Sequence, residues 1–227
     1  MKRNVIGWSL IVTFCFVMVL SASTLAIEQV QVASDGVFQQ AEVSVALPTQ
    51  PQEGNLLVAV LGARSAFTEG FFDGWELVAH ASNRARQWIL YKWAGAEEES
   101  TITFNFSGVT NYTLTVVEYA GVSPDSPVAG YSNIQLNEEL TSLTVGPLTG
   151  ANGQLALAAI TVRQPVEGIF GWTNDFVAVA DVTNNFEEQG LVTGVAELGV
   201  VDGETKTTGS WNGAGQPSGT LVLLNGK

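Results

Sequence analysis

Beyond residue 27, hydrophobic and polar positions alternate with a period of two, in short runs broken by Gly, Pro, Asn and Asp. The runs cover residues 28–33, 42–47, 56–62, 76–82, 87–94, 100–106 and 112–119. Successive side chains of a strand point to opposite faces, so this alternation predicts half-buried β-strands. No stretch of useful length combines helical spacing with caps. Seven short strands within about 95 residues is the density of an antiparallel β-sandwich, of jelly-roll or immunoglobulin-like kind.

The scheme then repeats. Pro48 is followed by Gly54-Asn55-Leu56-Leu57-Val58-Ala59-Val60, and Pro147 by Gly153-Gln154-Leu155-Ala156-Leu157-Ala158-Ala159. Glu69-Gly70-Phe71-Phe72-Asp73-Gly74-Trp75 returns as Glu167-Gly168-Ile169-Phe170-Gly171-Trp172, one residue shorter. Shared order and spacing point to two tandem related halves of about seven strands each. Further strands are expected at 176–182, 191–200, 207–211 and 219–224. Residues 27–122 form the first sandwich repeat and 134–227 the second. Residues 123–133, with Pro124, Pro127 and Gly130 and no sustained alternation, read as a connection.

The order Gly54-Asn55-Leu56-Leu57-Val58-Ala59-Val60, Gly74-Trp75-Glu76-Leu77-Val78, Leu90-Tyr91-Lys92-Trp93-Ala94-Gly95-Ala96 and Val117-Glu118-Tyr119-Ala120-Gly121-Val122-Ser123-Pro124 resembles a loose family of secreted bacterial and phage-associated β-sandwich domains, jelly-roll-like and without assigned chemistry. The resemblance implies an extracellular or particle-surface module. Its motifs are strand and turn signatures, so it transfers no functional residue.

Ahead of the strands lies a different kind of segment. Lys2 and Arg3 precede an apolar stretch over residues 5–20, which ends in Ser21-Ala22-Ser23-Thr24-Leu25-Ala26. That order is the mark of a secretory signal peptide over residues 1–26, with cleavage expected before Ile27. An uncleaved anchor is the alternative, since about 20 apolar residues can span a bilayer. No second segment has that length and character. Both methionines and the single cysteine, Cys15, fall inside the leader, so the mature chain would hold no sulfur and no disulfide. Loss of Lys2 and Arg3 would make the formal charge of −13 two units more negative. Such a surface repels phosphate backbones and argues against nucleic acid as a partner. It suits solubility, a cation or a basic partner.

The search for reaction chemistry yields no catalytic residue and no metal-ligand set. His80 is the only histidine, no Gly-x-Ser-x-Gly elbow exists, and thiolate or multi-histidine metal sites are ruled out by composition. Polysaccharide-cleaving sandwiches set two acids at alternate positions of one strand. The acids here cluster in turns instead, at Glu97-Glu98-Glu99, Glu138-Glu139 and Glu187-Glu188. No cofactor is expected; a structural calcium at Asp202-Gly203-Glu204 or residues 97–99 stays open.

The two repeated loops remain the most specific local feature, and they supply the candidate ligand- or partner-binding residues: Glu69, Phe71, Phe72, Trp75, Glu167, Ile169, Phe170 and Trp172. Either the tryptophans plug the ends of the sandwiches under cover of the neighbouring apolar residues, or those residues form an exposed contact surface with the glutamates at its rim. Trp88, Trp93 and Trp211 are read as core or sheet-face residues. The whole implies a secreted or cell-surface protein, not an enzyme, serving as a structural or interaction module. Its partner would be a glycan, another extracellular protein or a further copy of itself. A carbohydrate-binding module is the alternative, and a polysaccharide hydrolase or lyase the remote one.

Overall fold

The computed structural model describes residues 26–64, 72–164, 166–184 and 189–227. The leader expected over residues 1–26 thus falls outside it except for Ala26. The architecture is an all-β sandwich of two antiparallel sheets. Its strands are β1 (Glu28–Ala46), β2 (Leu56–Ala63), β3 (Glu76–Ala81), β4 (Arg86–Trp93), β5 (Thr101–Ala120), β6 (Val128–Gln135), β7 (Leu140–Arg163), β8 (Glu167–Phe170), β9 (Val177–Asn184) and β10 (Leu191–Asn225). Among the described residues no helix is long and apolar enough to cross a membrane.

The first half makes one sheet, in the order β1-β5-β2-β4-β3. Within β1 and β5 the expected runs join into long strands with register shifts at the joints: residues 28–37 pair with 112–120, and 42–46 with 101–105. The second half makes the other sheet in the same order. β6 takes the place of the first part of β1, 216–225 of β10 that of β5, 154–163 of β7 that of β2, 191–198 of β10 that of β4, and β9 that of β3. The equivalent of the 42–46/101–105 ribbon is formed by residues 140–150 and 203–215. Each half therefore contributes one main sheet and one outer ribbon.

Burial follows from this layering. β2 is buried along its whole length, which happens only when both faces of a sheet are covered. Leu57, Ala59 and Leu61 face the outer ribbon and pack with Val43, Val45, Ile102, Phe104 and Phe106. Leu56, Val58 and Val60 face inward and pack with Leu155, Leu157, Ala159, Val195, Val222 and Leu224 of the second sheet. Ala156, Ala158 and Ile160 turn outward to a third cluster with Leu143, Val145, Val201 and Trp211. The halves thus share one central core, and each has a second core beneath its own ribbon.

One end of the central interface is polar. Gln87 Nε2 donates to Thr161 Oγ1 at 3.0 Å and its Oε1 accepts from Thr220 at 2.7 Å, while the Thr193 hydroxyl meets Thr113 at 2.7 Å and Thr161 at 3.0 Å. Gly62 lies among these threonines, where a Cβ would stand 2.3 Å from Thr113 Oγ1 and 2.6 Å from Thr193 Oγ1.

The sheet borders also meet across the sandwich. Asn184 of β9 donates to the Val37 carbonyl of β1, Asn133 of β6 to the His80 carbonyl of β3 at 3.0 Å, and the Ser82 N–H to Gln135 at 3.0 Å. Side-chain amides thereby occupy main-chain groups that an open edge would offer to another chain.

Two expectations need correction. Most of the connection read at residues 123–133 is strand: β6 begins at Val128 and pairs with β10. An edge strand with half of its side chains in solvent needs few apolar residues, so its alternation is faint. The loop repeat is also not a positional equivalence. Val58 and Leu157 match across the halves and pair with Tyr91 and Glu197, which pair in turn with Glu76 and Val177. Trp75 therefore corresponds to Phe176, and the turn at 72–75 to that at 173–176. Trp75 N–H donates to the Phe72 carbonyl at 2.9 Å and Phe176 N–H to that of Thr173 at 3.4 Å. Gly74 and Asp175 share the left-handed position, at φ 78° and 62°. The first repeat match holds, with Gly54 and Gly153 left-handed at φ 81° and 88°.

Candidate functional site

The sequence-derived candidates separate into different environments. Glu69 and Phe71 lie outside the described residues. Phe72 is half-buried, edge-on to Phe104 at 5.7 Å between centroids, and Trp75 leans on the same ring at 5.3 Å. Ile169 is 3 % exposed and belongs to the outer core of the second half, so it offers no contact surface. Trp172 is half-buried against that core. Phe170 stands 46 % exposed, and Glu167 accepts a hydrogen bond from Asn212 at 2.9 Å. Among the described residues of the two loops, Trp75 and Trp172 occupy different positions in the two halves and pack on separate outer cores. In the ribbon of the first half Phe104 stands opposite Val43, and in that of the second half Gly209 stands opposite Leu143. Ile169 and Trp172 pack over Gly209, where a Cβ would come within 3.0 and 3.3 Å of them.

Trp75 does line a surface groove of about 470 Å³ together with Asp73, Lys92, Glu97, Glu98, Glu99, Thr101 and Thr103. The groove continues past Asn105 on one side and Gln50 on the other. Thr101, Thr103 and Asn105 point outward from the ribbon, while Ile102, Phe104 and Phe106 between them fill the core. Lys92, at the end of β4, ion-pairs with Glu98, and its Nζ lies 5.1 Å from the Trp75 ring centroid. The ammonium thus has a carboxylate on one side and an aromatic face on the other.

The loop that carries Glu97–Glu99 is tied down from below. Its neighbour, residues 47–55, donates Leu47 N–H to the Ser100 carbonyl at 2.8 Å, Gly54 N–H to Ala94 at 2.9 Å and the Gln50 amide to Ala96 at 3.3 Å. That neighbour is held by Glu118, a wholly buried carboxylate on β5. Glu118 accepts from Gln52 N–H at 2.9 Å, from Asn55 Nδ2 at 2.6 Å and from the Gln31 amide. Gln31 in turn accepts from Thr49 N–H at 3.0 Å. Sequence reasoning missed Glu118 because an acid between Val117 and Tyr119 looks like the solvent position of an alternating strand. The donors Gln31, Gln52 and Asn55 were the available signal, yet they are remote in sequence.

His80 stacks on Trp88 at 4.6 Å, and Trp88 and Trp211 are core residues as expected. Among the described residues no three His, Cys, Asp or Glu side chains come together to hold a metal ion. Comparison with family models, with curated proteins and with solved structures found no match.

Proposed function

We propose that this chain is an exported, non-catalytic interaction module of the cell surface or of an extracellular assembly, and that it makes its contact through the groove beside Trp75. Export is taken from the basic, apolar, small-residue order of residues 1–26. The observation that carries the contact site is the groove itself: a concave surface that combines an aromatic ring, four carboxylates, one ammonium and two threonine hydroxyls. The rest of the fold favours side-chain contact over strand addition. The central strands of both main sheets are covered on each face, and the sheet borders are tied to one another through Asn133, Gln135 and Asn184.

The experiment compares labelled full chain with the exposed-acid variant D73N/E97Q/E99Q for retention on purified envelope polysaccharide and on immobilised surface protein. Retention of the parent and its loss in the variant is the expected result. Equal retention of both, or retention of neither, sinks the reading. A carbohydrate-binding module is the second reading, favoured by the hydroxyl and amide side chains of Thr101, Thr103 and Gln50 along the groove.

A further inference from the structure

We infer that the groove beside Trp75 is an ammonium site whose internal occupant is Lys92, and that its ligand is a glycan bearing free amino groups. The inference rests on the reading of this groove as the contact site and names the chemistry that it takes.

A cation between an indole face and a carboxylate is the arrangement that recognises ligand ammonium groups. Here Lys92 fills it, paired with Glu98 and set over Trp75. The same groove holds three further carboxylates, Asp73, Glu97 and Glu99, and none of these is in an ion pair among the described residues. One lysine against four acids leaves the groove strongly negative, so it repels uronic or sulfated polymers and attracts a ligand with several positive charges.

The corresponding depression of the second half is built differently. It is lined by Asn174, Phe176, Leu198, Asp202, Glu204 and Lys206. Leu198 stands where Lys92 does, the Phe176 ring is buried, and Lys206 pairs with Glu204 at 3.1 Å. The ammonium site is therefore particular to the first half, and the second provides a control within the same molecule.

Main-chain bonding favours a glycan over a basic peptide. The carbonyls of Ala94, Gly95, Ala96 and Ser100 already accept hydrogen bonds from within the protein. An extended peptide draws affinity from main-chain pairing, whereas the loop side of the groove offers side-chain carboxylates and amides, facing the hydroxyls of Thr101 and Thr103. Those are the partners of ring hydroxyls and sugar amines.

Calorimetry on the full chain, at a pH where sugar amines are protonated, uses a glucosamine tetramer, its N-acetylated counterpart and tetralysine. The glucosamine tetramer is expected to bind, and the acetylated one at least about tenfold more weakly, the scale of one hydrogen bond to a charged group. E97Q/E99Q should weaken the amino ligand by a similar factor, and D202N/E204Q should leave it unchanged. Lys92→Met, which vacates the site, should tighten binding severalfold. Equal binding of the acetylated tetramer, stronger binding of tetralysine, or an unaltered affinity in Lys92→Met each overturns the inference. The acids changed are exposed while Lys92 is mostly buried against Glu98, and an unchanged melting temperature checks the fold of each variant. If none of the three probes binds while D73N/E97Q/E99Q still loses envelope retention, only the amino-glycan assignment falls. If retention is also unaffected, the contact site falls with it.

Discussion

The hydroxyl of Tyr119, fully buried on β5, donates at 2.8 Å to the carboxylate of Glu197 in the opposite sheet. It is a polar link between two halves that otherwise meet here through aliphatic side chains. Burial pushes Glu197 above the ordinary carboxylate range, and the bond from Tyr119 only partly opposes it. A carboxyl with a raised folded pKa supports the fold when protonated and loses that contribution as pH rises through the raised value. Glu197→Gln keeps an acceptor and removes the charge. It should leave stability equal or higher at pH 7, with the difference shrinking as pH falls below 4.5, the ordinary glutamate value. Chemical denaturation of both proteins at the two pH values measures this, and a variant less stable at pH 7 would overturn it.

At the alkaline end the tyrosines decide. Burial raises Tyr112 to about 12, burial and the bond to Glu76 raise Tyr91 to about 12, and burial with the nearby Glu197 raises Tyr119 well above the ordinary value of 10. An unfolded tyrosine loses its proton near 10. The folded chain therefore binds more protons between these values, and stability is complete below pH 10 and lost as pH rises through 12. Ultraviolet titration should show phenolate from these residues appearing together with unfolding. Their ionisation near pH 10 in a still folded protein would contradict the structure.

Glu118 anchors the segment that props the groove. Glu118→Ala leaves Gln31, Asn55 and the Gln52 N–H without their acceptor and should cost about 3 kcal/mol or more, since each buried donor left unpaired costs about 1–3 kcal/mol. Urea denaturation gives the loss. Hydrogen exchange should accelerate at Leu47, Gly54 and Ala94, whose N–H groups tie this segment and the groove loop together.

The turn correspondence makes a paired test. Gly74→Ala puts a side chain into a left-handed position and should destabilise by about 1 kcal/mol, whereas Asp175→Gly relieves the same strain and should not destabilise. If Asp175→Gly destabilised as much as Gly74→Ala, the two turns would not be equivalent.

Neighbours in the second repeated loop should respond in opposite ways. Ile169→Ala empties buried volume and should cost about 2–5 kcal/mol. Phe170→Ala, at an exposed position, should shift the melting temperature little.

The seven runs of the first half were legible because each carries its own alternation, and the sheets bear them out strand by strand. What alternation cannot convey is which run continues into which. β1 and β5 each span two runs through register shifts, and β10 chains three strand segments together. β6 was missed for lack of apolar residues. The loop motif misled for another reason: the segments ending in Trp75 and Trp172 are alike in sequence, but Trp75 packs on the Phe104 ring whereas Trp172 and Ile169 pack over Gly209. Trp75 was singled out from the loop motif, whereas its partners in the groove come from strands and turns whose proximity depends on the whole topology.

The inner faces of the two sheets have only each other for cover. While the chain is being synthesised, residues 28–120 can complete their sheet and close the outer ribbon over Leu57, Ala59 and Leu61. Leu56, Val58, Val60, Ile89 and Val117 on the other face must wait, since their cover is encoded last, in β7 and β10. The half-made chain is thus a stage with a broad apolar face in water, and it is there that a holding chaperone, or aggregation, would act.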